Sequence, residues 1–294
     1  MSDQIKDCIA PVRNPRKPNT KLPKGAIDTH VHIFENRYPL SPERGYNPPE
    51  STLADLRHLH DTLGVDRVVF TQPSIYGVDN AAILEGVAAL NAETPNRARA
   101  VLAVNGDITD TELAEFDAQG ARGIRLNTDN KGGMPVEFDD LQALAERIAP
   151  FNWHFEWLFP GEDIIELMPV FQSLKIPMSI GHFAYQPATA GISSRGFQAL
   201  LSLVKDGNTW IKISGANRVS QTDLPPYDDV KPMTQALIEA APDRVMWGTD
   251  WPHPNKYEVN PNDGDLVDAF GDWVADETMR QKIMVTTPAA LFRF

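Results

Sequence analysis

The sequence predicts an α/β protein built as a single (β/α)8 TIM barrel with an extended N-terminal arm. Three observations carry that prediction. Short apolar or β-branched runs recur eight times, each followed by a loop and a stretch with helical apolar spacing. No Gly-rich phosphate loop follows the first run, which argues against a doubly wound open sheet. The chemically interesting polar residues sit near the C-terminal ends of several different runs, and those ends meet at one mouth when parallel strands close into a barrel.

Residues 1–24 place Pro11, Pro15, Pro18 and Pro23 among Arg13, Arg16, Lys17, Lys21 and Lys24 with little hydrophobic periodicity, and read as the extended arm. Residues 25–294 are assigned to the barrel. Its strands are expected at Ala26–Phe34, Arg67–Pro73, Ala98–Asn105, Gly123–Asn127, His154–Phe159, Pro177–Phe183, Thr209–Gly215 and Val245–Pro252. Helices are expected between them at Leu53–Leu63, Asn80–Asn91, Thr109–Gln119, Leu141–Ile148, Asp163–Ser173, Phe197–Val204 and Val230–Ala240. Asp276–Leu291 closes the chain with the same spacing. Strands alternating with helices in this way require right-handed crossovers and hence parallel pairing.

The length of 294 residues suits one such barrel, which commonly takes about 250. A hydrophobic content of 42%, with 13 Phe and 6 Trp, supplies a sizeable core, and no run approaches the roughly 18 apolar residues of a membrane span. A soluble protein with no membrane partner is expected. The single cysteine, Cys8, cannot form an internal disulfide, and no charged-then-apolar leader precedes the first strand, so a reducing, cytoplasmic setting is expected. A net charge of −13 argues against nucleic acid as a partner, because phosphate binding is led by Lys and Arg. It leaves a small anionic substrate open, since a few placed arginines can fork a carboxylate. Outer-helix patterning assigns no oligomeric state.

The stretch Asp28-Thr29-His30-Val31-His32 points two imidazoles the same way from the first strand, because alternate residues share a face. Their expected partners are His182 in Ile-Gly-His-Phe and Asp250 in Trp-Gly-Thr-Asp-Trp-Pro-His, at the ends of the sixth and eighth strands. Three histidines and an aspartate suit a divalent ion such as zinc. They equally suit metal-free chemistry, in which imidazoles polarise a carbonyl and the carboxylate takes a proton from water. Arg125 in the fourth strand would repel a dication, and Glu156 is a ligand only if its strand turns it inward. His253 is a candidate for holding the loop of Asp250, whereas His58, His60 and His154 read as surface or packing residues. Arg122, Arg125, Lys131 and Arg218 form a cationic group expected to hold substrate carboxylates at the mouth.

Taken together, the initial Asp-Thr-His-Val-His, His182 and Trp-Gly-Thr-Asp-Trp-Pro-His resemble the amidohydrolase superfamily in its 2-pyrone-4,6-dicarboxylate lactonase-like branch. The likeness runs from about Gly25 to the C-terminal Thr-Thr-Pro-Ala-Ala-Leu-Phe. The resemblance implies hydrolysis of a small anionic lactone without a cofactor. Asp250 would be the general base, and His30, His32 and His182 would stabilise the developing oxyanion. Arg125, Arg218, Ser74 and Tyr46 would hold the substrate carboxylates. Two positions depart from the family pattern. Lys131 stands where the family carries an arginine, which replaces a planar fork by a point charge. Leu158 stands where it carries a tyrosine, which removes a hydroxyl. A sugar-acid lactone isomerase and a metal-dependent decarboxylase are the rival readings.

Overall fold

The computed structural model describes residues 5–294. Eight parallel strands form the central sheet: β1 (Ile27–Val31), β2 (Arg67–Thr71), β3 (Ala98–Leu102), β4 (Ala121–Asn127), β5 (His154–Leu158), β6 (Met178–Ile180), β7 (Thr209–Lys212) and β8 (Val245–Met246). Each lies beside its sequence neighbour, as right-handed crossovers dictate. Closure falls just beyond the short β8. Thr29 N–H donates to Trp247 O at 3.2 Å, His32 N–H to Trp251 O at 2.8 Å, and Asp250 N–H to His30 O at 3.0 Å. The seam that closes the barrel is therefore the one that carries His30, His32 and Asp250.

Eight helices pack outside: α1 (Leu53–Leu63), α2 (Ala81–Glu93), α3 (Asp110–Ala118), α4 (Leu141–Ile148), α5 (Ile164–Ser173), α6 (Arg195–Lys205), α7 (Lys231–Ala240) and α8 (Asp263–Trp273). In α1, for example, Leu56, Leu59 and Leu63 fall on one buried face. Thr52 and Asp55 cap it reciprocally, a device worth about 1 kcal/mol, and Gly64 ends it in the left-handed conformation. The core between sheet and helices runs from Leu56 and Phe70 through Trp157 and Phe171 to Phe270. A second cluster plugs the bottom of the barrel, where Leu291 and Phe292 of the C-terminal helical run meet Ile27, Val69, Val101 and Met246. Phe292 is fully buried, and emptying such a site costs roughly 3–5 kcal/mol.

One helix, α8, has no counterpart in the sequence-based expectation, since Gly264, Gly271 and four aspartates weaken its helical signal. The arm explains that composition. A Cβ on Gly264 would collide with Arg16 O, and one on Gly271 with the Thr20 side chain. Asp265 and Asp268 accept from Arg16, Asp268 also accepts from Thr20 N–H at 2.7 Å, and Asn262 accepts from Arg16 N–H at 2.9 Å. The acidic helix is thus a seat for the basic arm. The last segment is helical as expected, with a π turn at Lys282–Thr286 between two short α stretches. Among the described residues no helix is long and apolar enough to cross a membrane.

Candidate active site

Register decides which polar residues share a layer. Arg125 of β4 pairs with Glu156 of β5, and Glu156 with Ser179 of β6, so all three face the interior at one height. Glu156, whose direction the sequence left open, points inward and is fully engaged. It accepts from Lys212 Nζ at 2.5 Å, Arg125 at 3.3 Å and Thr71 Oγ1 at 3.2 Å. The three protons of the Lys212 ammonium face Glu156, Thr29 O at 2.7 Å and His30 Nδ1 at 3.3 Å. Burial pulls the Lys212 ammonium down from its usual range while Glu156 opposes that pull. Burial also works to raise Glu156, but Lys212 and Arg125 hold it below the usual carboxylate range.

Above this layer lie the expected catalytic residues. Asp250 is fully buried with φ +66°, an unusual backbone state for a non-glycine residue and one common at functional sites. Its Oδ2 accepts from Arg218 Nε at 2.7 Å. Its Oδ1 has no hydrogen-bond partner, with His182 Nε2 at 3.4 Å and His30 Nε2 at 3.8 Å as neighbours. Burial alone would raise the Asp250 carboxyl, but Arg218, with smaller contributions from the surrounding histidines, outweighs it and holds it at about 2. Its carboxyl is therefore held in the ionised form.

His182 and Tyr185 reach the site through a run of four left-handed residues, His182 to Tyr185, with φ between +50° and +55°. The turn stacks the two rings at 5.8 Å, and Gly215 makes room for it: a Cβ there would stand 2.6 Å from His182 Nδ1. His32 fixes Nδ1 on Thr71 O at 2.6 Å. Burial, then Arg125, lowers His32 to about 4. Burial outweighs the opposing Asp250 and takes His182 to about 3, and it puts His30 well below its usual value.

Two supports hold these groups in place. Asp28 accepts from His30 N–H at 3.2 Å, Thr249 N–H at 2.9 Å and Thr249 Oγ1 at 2.6 Å, tying β1 to the Asp250 loop, with His60 Nε2 at 3.4 Å. His253 donates its backbone N–H to Asp250 O at 2.7 Å, and its ring meets Asp263 of α8 at 3.1 Å. His253 thus holds the loop, and His60 and His154 are buried packing residues.

A cavity opens over Asp250. His32, His182, Arg125, Arg218, Ser74, Tyr46 and Leu158 all line it. Lys131 does not; it is exposed on the 129–133 loop. Arg122 is corrected outright: it lies at the N-terminal end of β4, bonded to Asp117 O at 3.0 Å, on the opposite end from the mouth. Arg218 donates to Asp250 through Nε and to Pro254 O through Nη2 at 2.9 Å, so only the rest of its guanidinium is open to a ligand. Sequence reasoning missed Lys212, although a lysine within Thr-Trp-Ile-Lys-Ile-Ser was a visible signal. It also missed Asn127, Asn130, Tyr185 and Asn255 in the lining, whose positions depend on loops.

Ligating atoms of His30, His32 and Asp250 lie within 4.8 Å of one another, a spacing that suits one divalent ion. Arg125 stands 3.4 Å from His30 Nε2, and with Lys212 and Arg218 it opposes a dication there, while the buried carboxylates of Glu156, Asp250 and Asp28 act the other way; no step below uses a metal.

The buried neutral histidines have a consequence for stability. His30, His32, His154 and His182 all have lowered pKa values, so below about 6.5 the unfolded chain binds protons that the native chain does not. Stability is expected to be full above that value and to fall as pH drops toward about 4, by up to about 1.4 kcal/mol per histidine per pH unit. Denaturant midpoints measured between about pH 7 and about pH 5 check this; an unchanged midpoint over that range would show that the histidines are not neutral in the fold.

The Amidohydrolase family model matches residues 27–294. A 2-pyrone-4,6-dicarboxylate hydrolase of Comamonas testosteroni is 35% identical over 95% of this chain and 93% of its own length. A D-galactarolactone isomerase of Agrobacterium fabrum is 32% identical over 94% of each chain. A crystal structure of an Agrobacterium tumefaciens protein superposes with a TM-score of 0.84 at 30% identity, covering 94% of this chain and 98% of that one. With the model spanning everything but the arm, and the relatives aligned nearly end to end, the chain belongs to the amidohydrolase family.

Proposed function

We propose that the protein hydrolyses a small anionic lactone, 2-pyrone-4,6-dicarboxylate or a related carboxylated cyclic ester, without a metal. The observation that carries the proposal is Asp250 Oδ1: an ionised, buried oxygen with no hydrogen-bond partner, at the floor of a cavity ringed by imidazoles and guanidinium groups. Such an oxygen is a general base with an open position beside it. In this reading His182 and Arg125 of the lining, with His30 behind them 3.8 Å from Asp250, would donate to a carbonyl oxygen gaining negative charge, and preorganised donors there lower the barrier. Arg125 Nε is buried with no partner, and with the free side of Arg218 and the hydroxyls of Ser74 and Tyr46 it can hold a substrate carboxylate. The names of the hydrolase and isomerase relatives support a lactone as the substrate class.

The test is a proton-release assay over carboxylated lactones, with and without chelator, followed by mass analysis of the product. Proton release at the same rate after chelation, with one water added to the product, is expected. A product of unchanged mass would replace hydrolysis by isomerisation through a substrate hydroxyl. Activity that appears only on acids, with added metal and release of carbon dioxide, would replace it by decarboxylation.

A further inference from the structure

We propose that His32 is a second hydrogen-bond acceptor for the nucleophile, so that Asp250 and His32 together select water over an alcohol. The proposal rests on the hydrolytic reading above and assigns His32 a role different from the other two histidines. Its ring is held with Nδ1 2.6 Å from the carbonyl oxygen of Thr71. A backbone carbonyl only accepts, so Nδ1 carries the ring proton and Nε2 of the neutral ring is a bare lone pair. With Nδ1 committed to β2, Nε2 is the nitrogen His32 offers to the cavity it lines. His182 is disposed the other way. Its Nδ1 lies 3.0 Å from the Ser214 hydroxyl, which can donate, and its Nε2 lies 3.4 Å from Asp250 Oδ1, where a proton is favoured.

The cavity floor therefore holds two acceptors, Asp250 Oδ1 and His32 Nε2; a ring nitrogen of His32 and a carboxylate oxygen of Asp250 lie within 4.8 Å of each other. It also holds donors in Arg125 and His182. A carbonyl oxygen takes the donors. The nucleophile takes the acceptors, and water, with two O–H bonds, satisfies both. An alcohol has one O–H and leaves a buried acceptor bare. That deficit is worth on the order of 10- to 100-fold in rate, the effect of one unmade hydrogen bond at a buried acceptor.

In the attack, one O–H bond of water breaks and its proton goes to Asp250 Oδ1. The water oxygen bonds the carbonyl carbon, and the carbonyl π pair moves onto its oxygen. The second O–H stays intact on His32 and becomes the acid proton of the product, released on ionisation. Collapse of the adduct breaks the ring C–O bond, and Asp250 returns its proton to the ring oxygen. One water is consumed and one proton released overall.

Partition between water and methanol tests the assignment. With the lactone identified by the proton-release assay, turnover in water–methanol mixtures gives hydroxy acid and methyl ester, counted by mass spectrometry. The native enzyme is expected to favour water beyond the mole ratio. His32→Phe should be slower and should lose about 10-fold or more of that preference, whereas His32→Gln, whose amide oxygen still accepts, should keep most of it. A lower rate with an unchanged partition ratio in His32→Phe overturns the proposal, because an oxyanion donor or a packing residue acts equally on both nucleophiles. Nitrogen-15 NMR of the histidine-labelled native protein gives a check that needs no turnover. The proton of His32 is expected on Nδ1 with Nε2 bare, and a proton on Nε2 overturns the assignment even if every lactone proves inert and the hydrolytic reading itself fails.

Discussion

Asp250→Asn is expected to lower kcat for lactone hydrolysis by about 10²–10⁴-fold while leaving a folded protein that still binds its ligand. The substitution keeps the shape and changes two properties at once. Arg218 Nε, 2.7 Å from Oδ2, requires an acceptor, so the amide turns its oxygen toward Arg218. The amide nitrogen then occupies the place of Oδ1 and presents protons where the mechanism needs a lone pair. Loss of the negative charge also leaves Arg218 without its counter-ion, which costs about 1–3 kcal/mol of stability and makes a melting curve a necessary companion measurement. Steady-state proton release, with calorimetric titration of an unreactive lactone analogue, separates the outcomes. Turnover within tenfold of the native enzyme would remove Asp250 from the base role. Loss of ligand binding together with turnover would make it a structural anchor for Arg218.

The second large effect concerns stability. Lys212→Met removes the ammonium from a pair in which both partners are about 1% exposed or less, leaving Glu156 with only Arg125 and Thr71 and leaving Thr29 O unbonded. Breaking one side of a buried ion pair costs about 3–5 kcal/mol. For a chain of this size that lowers the apparent Tm by roughly 6–15 °C. The double substitution Lys212→Met with Glu156→Leu removes both charges and should recover part of the loss, because a buried pair replaced by apolar side chains is often near neutral in stability. Scanning calorimetry of the native protein, the single variants and the double variant measures the coupling. Losses that simply add, with no recovery in the double variant, would mean that the pair does not act as a unit.

The residues of the site divide by how much of their role is local. His30 and His32 could be read as a pair because a strand has period two, and Asp250 because its strand end recurs at the barrel mouth. Arg125 was legible as an interior cation for the same reason. Glu156 was not, since one residue of register reverses a strand's faces and only the pairing with β4 and β6 fixes it. Helix α8 was hidden because its glycines and aspartates answer to the arm that crosses it and not to helical propensity. Lys131 aligned with a family arginine by sequence yet stands outside the cavity, because loop conformation is set by packing and not by alignment.

By itself, then, the sequence determined the eight-fold alternation of strand and helix, the mouth at which chemistry gathers, and the presence there of His30, His32 and Asp250, all of which follow from periodicities of a few residues. The tertiary structure alone decided which charges meet. The commitment of Arg218 to Asp250, of Lys212 to Glu156 and of His32 Nδ1 to Thr71 O each joins residues 30 or more positions apart. Such contacts depend on register, closure and loop path, and in a buried site of low dielectric they set which atoms hold protons and which accept them.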